Sequence, residues 1–579
     1  MKLSWKFIVT LLTLMSLMLI PFWLVFTEPY VVKPSPLKLY EAIHPTYYIG
    51  LSAIALLIAI LSVKSWKNFN TILNPYLAVA ILATFYLQLP PIALFEHPIS
   101  DHTIHLVPAF YMLREGNIYM PNYPHPETVS PQLFASIFIM IMSLPSPLEN
   151  LHRISLFVLS LLTTLYIYIF MRRLEAGDRF AMMASVLNMG LIHVHFMFLR
   201  QTYAMPLYVM LVLLVFMAQK EGRASHSILA TVTALTFIMS DPAHVLLTII
   251  PLMLFTMTWK GFSLFGKVNY HRFRSLWIFV LFVSVAFLSW IINRYPLLPI
   301  SLWRIAKTMW DVFIRSINTF TLPTQESPAA WGKSIGVTYS DYYMVLYKVR
   351  VLLIAFSVIF PAMLLFIYAF LYKLKAIRFE IMYLATFFAI TSAVLIARGY
   401  GFTYTPWASM TLFLLLKLIN NASFRYKLYR TSIIIAILFV LIAASVSPHI
   451  THSGGKVRLS SADINAILWL GEYSPQAFSL ISPGYGGWLS ETAYIMEGQY
   501  VRIADYLFYE GLTYKSINNL AKHNAVIIPE AALIYFEKTE ACYFAIEMFE
   551  MLNHKLNNTH NLIYNSGNPF VCIYLAQLT

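Results

Sequence analysis

Residues 351–372 read VLLIAFSVIFPAMLLFIYAFLY, a run long enough to cross a lipid bilayer without one charged side chain. A transmembrane helix needs roughly 20 predominantly apolar residues. Similar runs recur along the 579-residue chain, which is 59% hydrophobic and 11% charged, with a mean hydropathy of +0.67. Soluble domains carry about a quarter charged residues, so lipid must be the solvent for most of this chain. The composition predicts a polytopic α-helical membrane protein.

We predict about thirteen transmembrane helices from the length and spacing of these apolar runs. The first run is interpreted as an anchor that stays in the mature chain, because no small-residue cleavage site follows it. The predicted spans are 7–26, 47–63, 73–95, 152–171, 180–198, 203–218, 227–240, 244–259, 275–293, 350–372, 381–397, 404–420 and 431–448.

Basic residues orient these spans, because lysine and arginine accumulate in short cytoplasmic loops. A cytoplasmic N-terminus puts basic clusters in the inner loops, near 64–67, 172–179, 220–223, 260–274, 373–378 and 425–430. The outer turns at 199–202, 241–243 and 398–403 carry only Arg200 and Arg398. This pattern requires that the apolar run 132–144 stays on the outer side as an interfacial or re-entrant helix. The chain is thus expected to be a multi-pass protein of the cell membrane.

Two domains follow from this topology. Residues 1–448 form the transmembrane domain, with large outer loops at 96–151 and 294–349, and residues 449–579 form an extracytoplasmic α/β domain. The tail is predicted to contain helices near 461–472, 515–522 and 541–552, and strands near 478–482, 500–503, 525–529, 562–564 and 571–575. Cys542 and Cys572 both fall in this tail, where either a disulfide or two free thiols is consistent with the sequence.

The formal net charge of +14 does not predict a nucleic-acid-binding protein. Such proteins concentrate their lysine and arginine in one patch or stripe. Here the basic residues lie in short clusters between apolar runs, where they orient spans in the membrane.

The first outer loop carries the residues best suited to chemistry. Residues 96–134 read EHPISDHTIHLVPAFYMLREGNIYMPNYPHPETVSPQLF. A helix from His102 to Glu115 would place Asp101 and His105 on one face, one turn apart, and Gly116 would end it. Asp101 as a helix cap and His105 as a structural histidine is the alternative interpretation.

The order of residues in this loop resembles the first outer loop of GT-C glycosyltransferases, membrane enzymes that use polyprenyl-phosphate-linked sugars. The resemblance rests on Asp101, His105, Gly116, Tyr123-Pro124 and Pro131-Gln132-Leu133. It extends to Arg200-Gln201, Asp241-Pro242-Ala243-His244, and Arg398 with Pro406. The tail, from Leu468-Trp469-Leu470 to Tyr485-Gly486-Gly487-Trp488, is similar to the start of the C-terminal domain in oligosaccharyltransferase catalytic subunits.

The resemblance implies inverting transfer of a sugar from a polyprenyl-phosphate donor to an acceptor on the outer face. Asp101 would be the catalytic base, and Arg398 and Arg200 would bind the donor phosphate, for which arginine offers a planar fork. His102, His105, Tyr123, Asp241 and His244 would support the site. Asp101 and His105 would be the first ligands of a divalent cation, if one is bound. Membrane lipid, the lipid-linked sugar and a protein, lipid or glycan acceptor are the implied partners.

Two departures from the family pattern keep other functions open. The loop follows the third span rather than the first, and the oligosaccharyltransferase signature Trp-Trp-Asp is replaced by Pro483-Gly484-Tyr485. An oligosaccharyltransferase-like enzyme is one alternative. A flippase or transporter of lipid-linked saccharide is the other, although transport pathways usually place charged residues near span centres.

Overall fold

The computed structural model describes the backbone of most of the membrane domain and of the strands in the tail. The described residues are 5–26, 44–63, 74–94, 98–99, 101–118, 128–142, 147–191, 200–264, 271–294, 341–372, 378–398, 404–421, 426–453, 457–458, 480–482, 503–505, 525–528, 560–565 and 572–576.

Fifteen helices run through this part of the chain. They are α1 (Trp5–Phe26), α2 (Pro45–Val63), α3 (Pro75–Leu94), α4 (Asp101–Glu115), α5 (Ser130–Met142), α6 (Pro147–Arg173), α7 (Asp178–Leu191), α8 (Arg200–Glu221), α9 (Ala224–Ile238), α10 (Pro242–Leu264), α11 (His271–Arg294), α12 (Asp341–Tyr372), α13 (Phe379–Arg398), α14 (Thr405–Asn421) and α15 (Tyr426–Ser453). Each of the thirteen predicted spans overlaps one helix, and α4 and α5 occupy the first outer loop. Helix α12 begins nine residues before the predicted span, at Asp341.

Four stretches of the described helices are both long and apolar enough to cross a membrane: Pro45–Val63, Gln201–Glu221, Ser275–Asn293 and Val351–Phe370. Shorter apolar stretches lie in eight of the other helices, from Trp5–Pro21 to Thr431–Ala444. The chain is therefore a multi-pass helical membrane protein. Thirteen crossings remain a prediction, because the shorter stretches do not reach the length of a span by themselves.

Ion pairs gather three of the predicted inner loops onto one surface, which we call the basic face. Lys220 at the end of α8 contacts Glu175, in the α6–α7 turn, at 3.1 Å and Glu380, at the start of α13, at 3.4 Å. Arg173 contacts Glu221 at 3.2 Å, and Arg378 contacts Glu175 at 3.5 Å. The α6–α7, α8–α9 and α12–α13 connections thus lie on the same side, as the distribution of basic residues predicts.

The chain between α3 and α6 begins and ends on the opposite side. Helix α2 ends near the basic face, where Arg179 donates to the carbonyl of Ser62 at 3.2 Å, and its start lies beside the later half of α3, where Tyr47 donates to the carbonyl of Tyr86 at 3.1 Å. Helix α3 therefore ends on the opposite side, and α6 runs from that side to Arg173 at the basic face.

Because the segment between α3 and α6 starts and ends on the same side, α5 is not a single crossing of the bilayer. Its late apolar side chains face outward, with Met140 59% and Ile141 75% exposed, as in an interfacial helix.

Five strands in the tail form a mixed sheet: β3 (Leu480–Ser482), β4 (Ile503–Asp505), β5 (Ala525–Ile528), β6 (His560–Asn565) and β7 (Cys572–Ala576). The strand order is β4-β3-β5-β7-β6. The β3 strand pairs in parallel with β4 and β5, whereas β7 pairs antiparallel with β5 and β6. Each strand coincides with or adjoins a predicted one. The predicted tail helices and Cys542 lie outside the described residues, so the α/β class and the disulfide stay predictions.

The basic face should weaken in acid. The pKa of the Glu175 carboxylate is lowered from its ordinary value of 4.5, chiefly because Lys220 donates a hydrogen bond to it. A depressed pKa gives stability that is present above the ordinary value and is lost as the pH falls through the folded value. We predict that Glu175→Gln reduces the fall of Tm below pH 4.5 by about 1 °C. The effect is small because exposed ion pairs contribute little to stability. The control Glu115→Gln, at an exposed position, should show the same dependence of Tm on pH as wild type. An equal fall of Tm in acid for all three proteins would refute the pairing of Glu175 with Lys220.

Candidate active site

Helix α4, which carries Asp101, is held at its first residue by a short strand pair. Strand β1 (Pro98–Ile99) pairs antiparallel with β2 (Val457–Arg458), which follows the last membrane helix. The register joins Pro98 to Arg458 and Ile99 to Val457. Asp101 begins α4 two residues after this ladder. The connection between α15 and the C-terminal domain therefore fixes where the predicted base enters its helix.

The far end of α4 agrees with the sequence prediction. Gly116 adopts φ +64 and its N–H donates to the carbonyl of Met112 at 3.0 Å. This left-handed conformation ends helices and favours glycine. Along α4, Asp101, His102 and His105 occupy the first five residues, with Asp101 and His105 at positions that share a helix face. Their side-chain positions lie outside the described structure.

The start of α5 brings the first outer loop against two other helix ends. The N–H groups of Val129 and Ser130 both donate to the carbonyl of Met239, at 2.9 and 3.1 Å. The hydroxyl of Ser130 lies 3.2 Å from that of Tyr203, three residues from the start of α8. The α9–α10 turn, the start of α8 and the first outer loop thus meet at one place.

A buried carboxylate–histidine pair sits beside this junction. Asp241 follows the α9–α10 turn and His244 lies three residues later in α10, with Nδ1 of His244 2.8 Å from a carboxylate oxygen of Asp241. Both residues are 2% exposed. The rings of Tyr208 and Phe237 approach the imidazole edge-on, at centroid distances of 6.1 and 6.3 Å. A carboxylate this close to a ring nitrogen restricts the orientation of the imidazole.

The two predicted phosphate-binding arginines begin and end helices on the same side. Tyr383 of α13 donates a hydrogen bond to the carbonyl of Val212 in α8 at 3.0 Å, and its ring contacts Phe255 of α10 at 5.0 Å. Successive contacts show that α13 runs antiparallel to both helices.

Helix rise then sets the level of each helix end. At 1.5 Å per residue, Arg200 lies about 18 Å along α8 from Val212, and Arg398 lies about 22 Å along α13 from Tyr383. At the start of α10, Asp241 lies about 21 Å from Phe255, and all three distances run in the same direction. These three ends therefore reach a similar level. We call the surface formed by the starts of α4, α8 and α10 and the end of α13 the site face. It lies across the helix bundle from the basic face.

The structure thus brings the backbones of most predicted site residues to one face. It describes contacts only for Asp241 and His244 among them, and Tyr123 lies outside the described residues. Arg200 and Arg398 are the first residue of α8 and the last of α13. No cluster of three or more metal-type ligands occurs among the described side chains, so a cation site remains a prediction.

Three buried polar pairs below the site face were not anticipated from the sequence. Trp407 Nε1 donates to the hydroxyl of Tyr208 at 2.9 Å, which itself donates to the carbonyl of Leu247 at 3.1 Å. Thr405 donates to the side-chain oxygen of Asn188 at 2.9 Å. The hydroxyls of Ser357 and Tyr404 are 2.9 Å apart. The one sign of these pairs in the sequence is the polar and aromatic run Tyr-Thr-Pro-Trp, residues 404–407, at the start of a predicted span.

These pairs join the start of α14 to α7, α8 and α12, and Tyr208 in turn joins α8 to α10. Polar groups inside a membrane domain must find partners within the protein. By doing so here they fix the spacing of the helices that carry the candidate residues.

No protein-family model matches this chain, and no curated protein matches it. Two solved structures of ArnT from Cupriavidus metallidurans are similar to it. The form bound to undecaprenyl phosphate is 10% identical with a TM-score of 0.42, covering 86% of this chain and 97% of that one. The apo form is 12% identical with a TM-score of 0.47, covering 86% and 96%. Neither likeness assigns a role to any residue here.

The β1–β2 ladder should restrain the start of α4. We predict that replacing both Val457 and Arg458 by proline accelerates hydrogen exchange of the amides in residues 99–105 by at least tenfold, because proline removes the N–H that a ladder needs. The matched control replaces both by alanine and should exchange like wild type. Equal exchange in the proline and alanine proteins would show that the ladder does not hold this helix.

The Asp241–His244 pair should be energetically coupled. Removing either side chain of a buried polar pair leaves the other without its neighbour. We predict that Asp241→Ala and His244→Ala each lower Tm in detergent, and that the double variant costs less than the sum by about 1–3 kcal/mol. Asp241→Asn, which keeps an acceptor and a helix cap, should fall between wild type and Asp241→Ala. Strictly additive losses would contradict the coupling.

Proposed function

We propose that this protein is a membrane glycosyltransferase of the GT-C kind. It would move a sugar from a polyprenyl-phosphate donor to an acceptor at the site face, with inversion at the anomeric carbon. The site face would be the extracytoplasmic side, because the basic face has the lysine and arginine content of cytoplasmic loops.

The observation that carries this proposal is the convergence of distant chain segments on the site face. The start of α4 at Asp101, the start of α8 at Arg200, the buried pair Asp241–His244 and the end of α13 at Arg398 reach it from four parts of the chain. The same residues carry the resemblance to GT-C enzymes. A carboxylate together with two arginines is the set required for attack on a lipid-linked sugar phosphate.

The proposed reaction balances with one base and one leaving group. Asp101 would take the proton of an acceptor O–H or N–H group while that atom attacks the anomeric carbon. The bond from that carbon to the phosphate oxygen would break, and polyprenyl phosphate would leave with the electron pair. Arg398 and Arg200 would stabilise the charge that develops on the phosphate, since guanidinium groups bind its oxygens in pairs.

The buried pair would have a positioning role. Through Met239, the turn before Asp241 accepts two hydrogen bonds from the start of α5. Asp241 and His244 would therefore hold the second half of the first outer loop against α8 and α10. A divalent cation, if bound, would use Asp101 and His105, and no step of the proposed mechanism passes through it.

Two alternatives remain, each with a discriminating result. A flippase would move a lipid-linked saccharide without breaking its sugar–phosphate bond. Transport pathways usually have charged residues near the centres of their spans. The described ion pairs of this chain lie at helix ends instead, and none of them is in the middle of an apolar stretch. An oligosaccharyltransferase-like enzyme would require a sequon-containing peptide, whereas a simple sugar transferase would not.

Asp101 should be essential for turnover. We predict that Asp101→Asn lowers transfer at least 1,000-fold while leaving Tm unchanged, and that Asp101→Glu retains partial activity. The assay uses radiolabelled sugars on undecaprenyl phosphate, the lipid in one ArnT crystal structure, in nanodiscs containing candidate acceptors. Glu115→Gln, at the other end of α4, should keep wild-type activity. Full activity in a folded Asp101→Asn protein would remove this residue from the mechanism.

Arg398 should act on the donor. We predict that Arg398→Ala raises the KM for the lipid-linked sugar by about 10- to 100-fold, since each lost charged hydrogen bond costs about 1.5–3 kcal/mol. Arg398→Lys should recover part of the loss, because a lysine keeps the charge but not the fork. An unchanged KM in Arg398→Ala would leave Arg200 as the phosphate-binding residue.

A further inference from the structure

A proline interrupts the backbone hydrogen bonds of α10 at Pro251. Proline has no N–H, so inside a helix it leaves the carbonyl four residues earlier without its usual partner. In α10 that carbonyl belongs to Leu247, which lies between Pro251 and the buried pair Asp241–His244. A backbone restraint is therefore missing where residues 242–250, which we call the outer part of α10, join the rest of the helix.

A tyrosine hydroxyl takes the place of the missing N–H. Tyr208 of α8 donates a hydrogen bond to the carbonyl of Leu247 at 3.1 Å. The indole Nε1 of Trp407 in α14 lies 2.9 Å from the same hydroxyl, and an indole nitrogen can only donate. The single proton of the tyrosine hydroxyl is therefore directed to the Leu247 carbonyl. Both aromatic side chains are fully buried, so this bond is made within the protein.

The ring of Tyr208 also contacts both sides of the α9–α10 turn. It stacks on Phe237, near the end of α9, with centroids 5.9 Å apart and an interplanar angle of 11°. After the turn, the ring of His244 meets it edge-on at 6.1 Å. Between these two contacts along the chain lies Met239, whose carbonyl accepts two hydrogen bonds from the start of α5. One side chain of α8 thus touches the elements that hold the first outer loop.

A second contact of the same kind lies in α3. The hydroxyl of Tyr47 in α2 donates to the carbonyl of Tyr86 at 3.1 Å, and Pro90 follows four residues later. Backbone groups that a proline frees in a membrane domain must find partners inside the protein. This contact joins α2 to α3 rather than α8 to α10. It therefore provides a matched control, in which the same type of bond is removed at another place.

We infer that Tyr208 is a positioning residue for the proposed active site, and its catalytic consequence rests on the proposed function. Its hydroxyl closes the gap that Pro251 leaves and keeps the outer part of α10 in one orientation relative to α8. The buried pair Asp241–His244 and the α9–α10 turn are thereby held against the start of α5. The first outer loop, with Asp101 at the start of its first helix, is anchored through this contact.

Restoring the missing N–H tests this role. Tyr208→Phe keeps the ring but removes the hydroxyl, and should accelerate hydrogen exchange of the amides in residues 128–131 about three- to tenfold in the purified full-length protein. Combining it with Pro251→Ala supplies an N–H for the Leu247 carbonyl, and exchange should return to the wild-type rate. Pro251→Ala alone should match wild type. No acceleration in Tyr208→Phe, or an acceleration that Pro251→Ala does not reverse, would overturn the inference.

The matched control is Tyr47→Phe. It removes an equivalent buried hydrogen bond and should lower Tm about as much as Tyr208→Phe does. Exchange in residues 128–131 should stay at the wild-type rate, because this bond lies in α2 and α3. Equal acceleration there by both variants would mean that a general loss of stability frees these amides, and Tyr208 would have no positioning role.

Transfer kinetics separate positioning from donor binding. We expect Tyr208→Phe to lower kcat about tenfold, because a misplaced catalytic group loses effective concentration. The KM for the lipid-linked sugar should stay within about twofold of wild type, since the donor-binding arginines are unchanged. Pro251→Ala should restore kcat, whereas a raised KM at unchanged kcat would contradict positioning. A wild-type protein that transfers no sugar would refute the proposed function, and hydrogen exchange would still decide whether Tyr208 holds the loop.

Discussion

The high cost of placing a charge in hydrocarbon divides this molecule into two faces. Most of the ion pairs in the described residues lie at the basic face, where they join the α6–α7, α8–α9 and α12–α13 connections. The Asp241–His244 pair stands apart from them, at the site face, with both residues 2% exposed. A buried polar pair on that side needs a local reason, because stability alone favours apolar residues in a buried position. Its junction with the first outer loop supplies one.

The same division explains how a site can be assembled from remote segments. Once a span is oriented, its ends are fixed to one face or the other, whatever their separation in sequence. Arg200, Asp241 and Arg398 therefore reach a similar level, because each lies at the end or the start of a helix on the same side. The polar pairs Tyr208–Trp407 and Asn188–Thr405 join α14 to α8, which begins at Arg200, and to α7. The first outer loop needs its own restraints, which the β1–β2 ladder and the Met239 hydrogen bonds provide.

The apolar runs and basic loops of the sequence located the helices and grouped three of their connections on one side, because both signals act locally along the chain. The sequence also predicted the helix that begins beside Asp101 and ends before Gly116. It could not find the β1–β2 ladder, since two-residue strands leave no periodic signal. Nor could it find the Tyr208–Trp407 contact, because partners 199 residues apart are joined only by helix packing.

The most direct test of this account is the sidedness of its two faces. Cys542 and Cys572 are first replaced by serine, and single cysteines are introduced at the exposed positions Glu115, at the end of α4, and Ala224, at the start of α9. Intact cells are then treated with a membrane-impermeant maleimide. We predict that Glu115→Cys is labelled directly and that Ala224→Cys is labelled only after permeabilisation. Labelling of both from one side, or the reverse order, would contradict it.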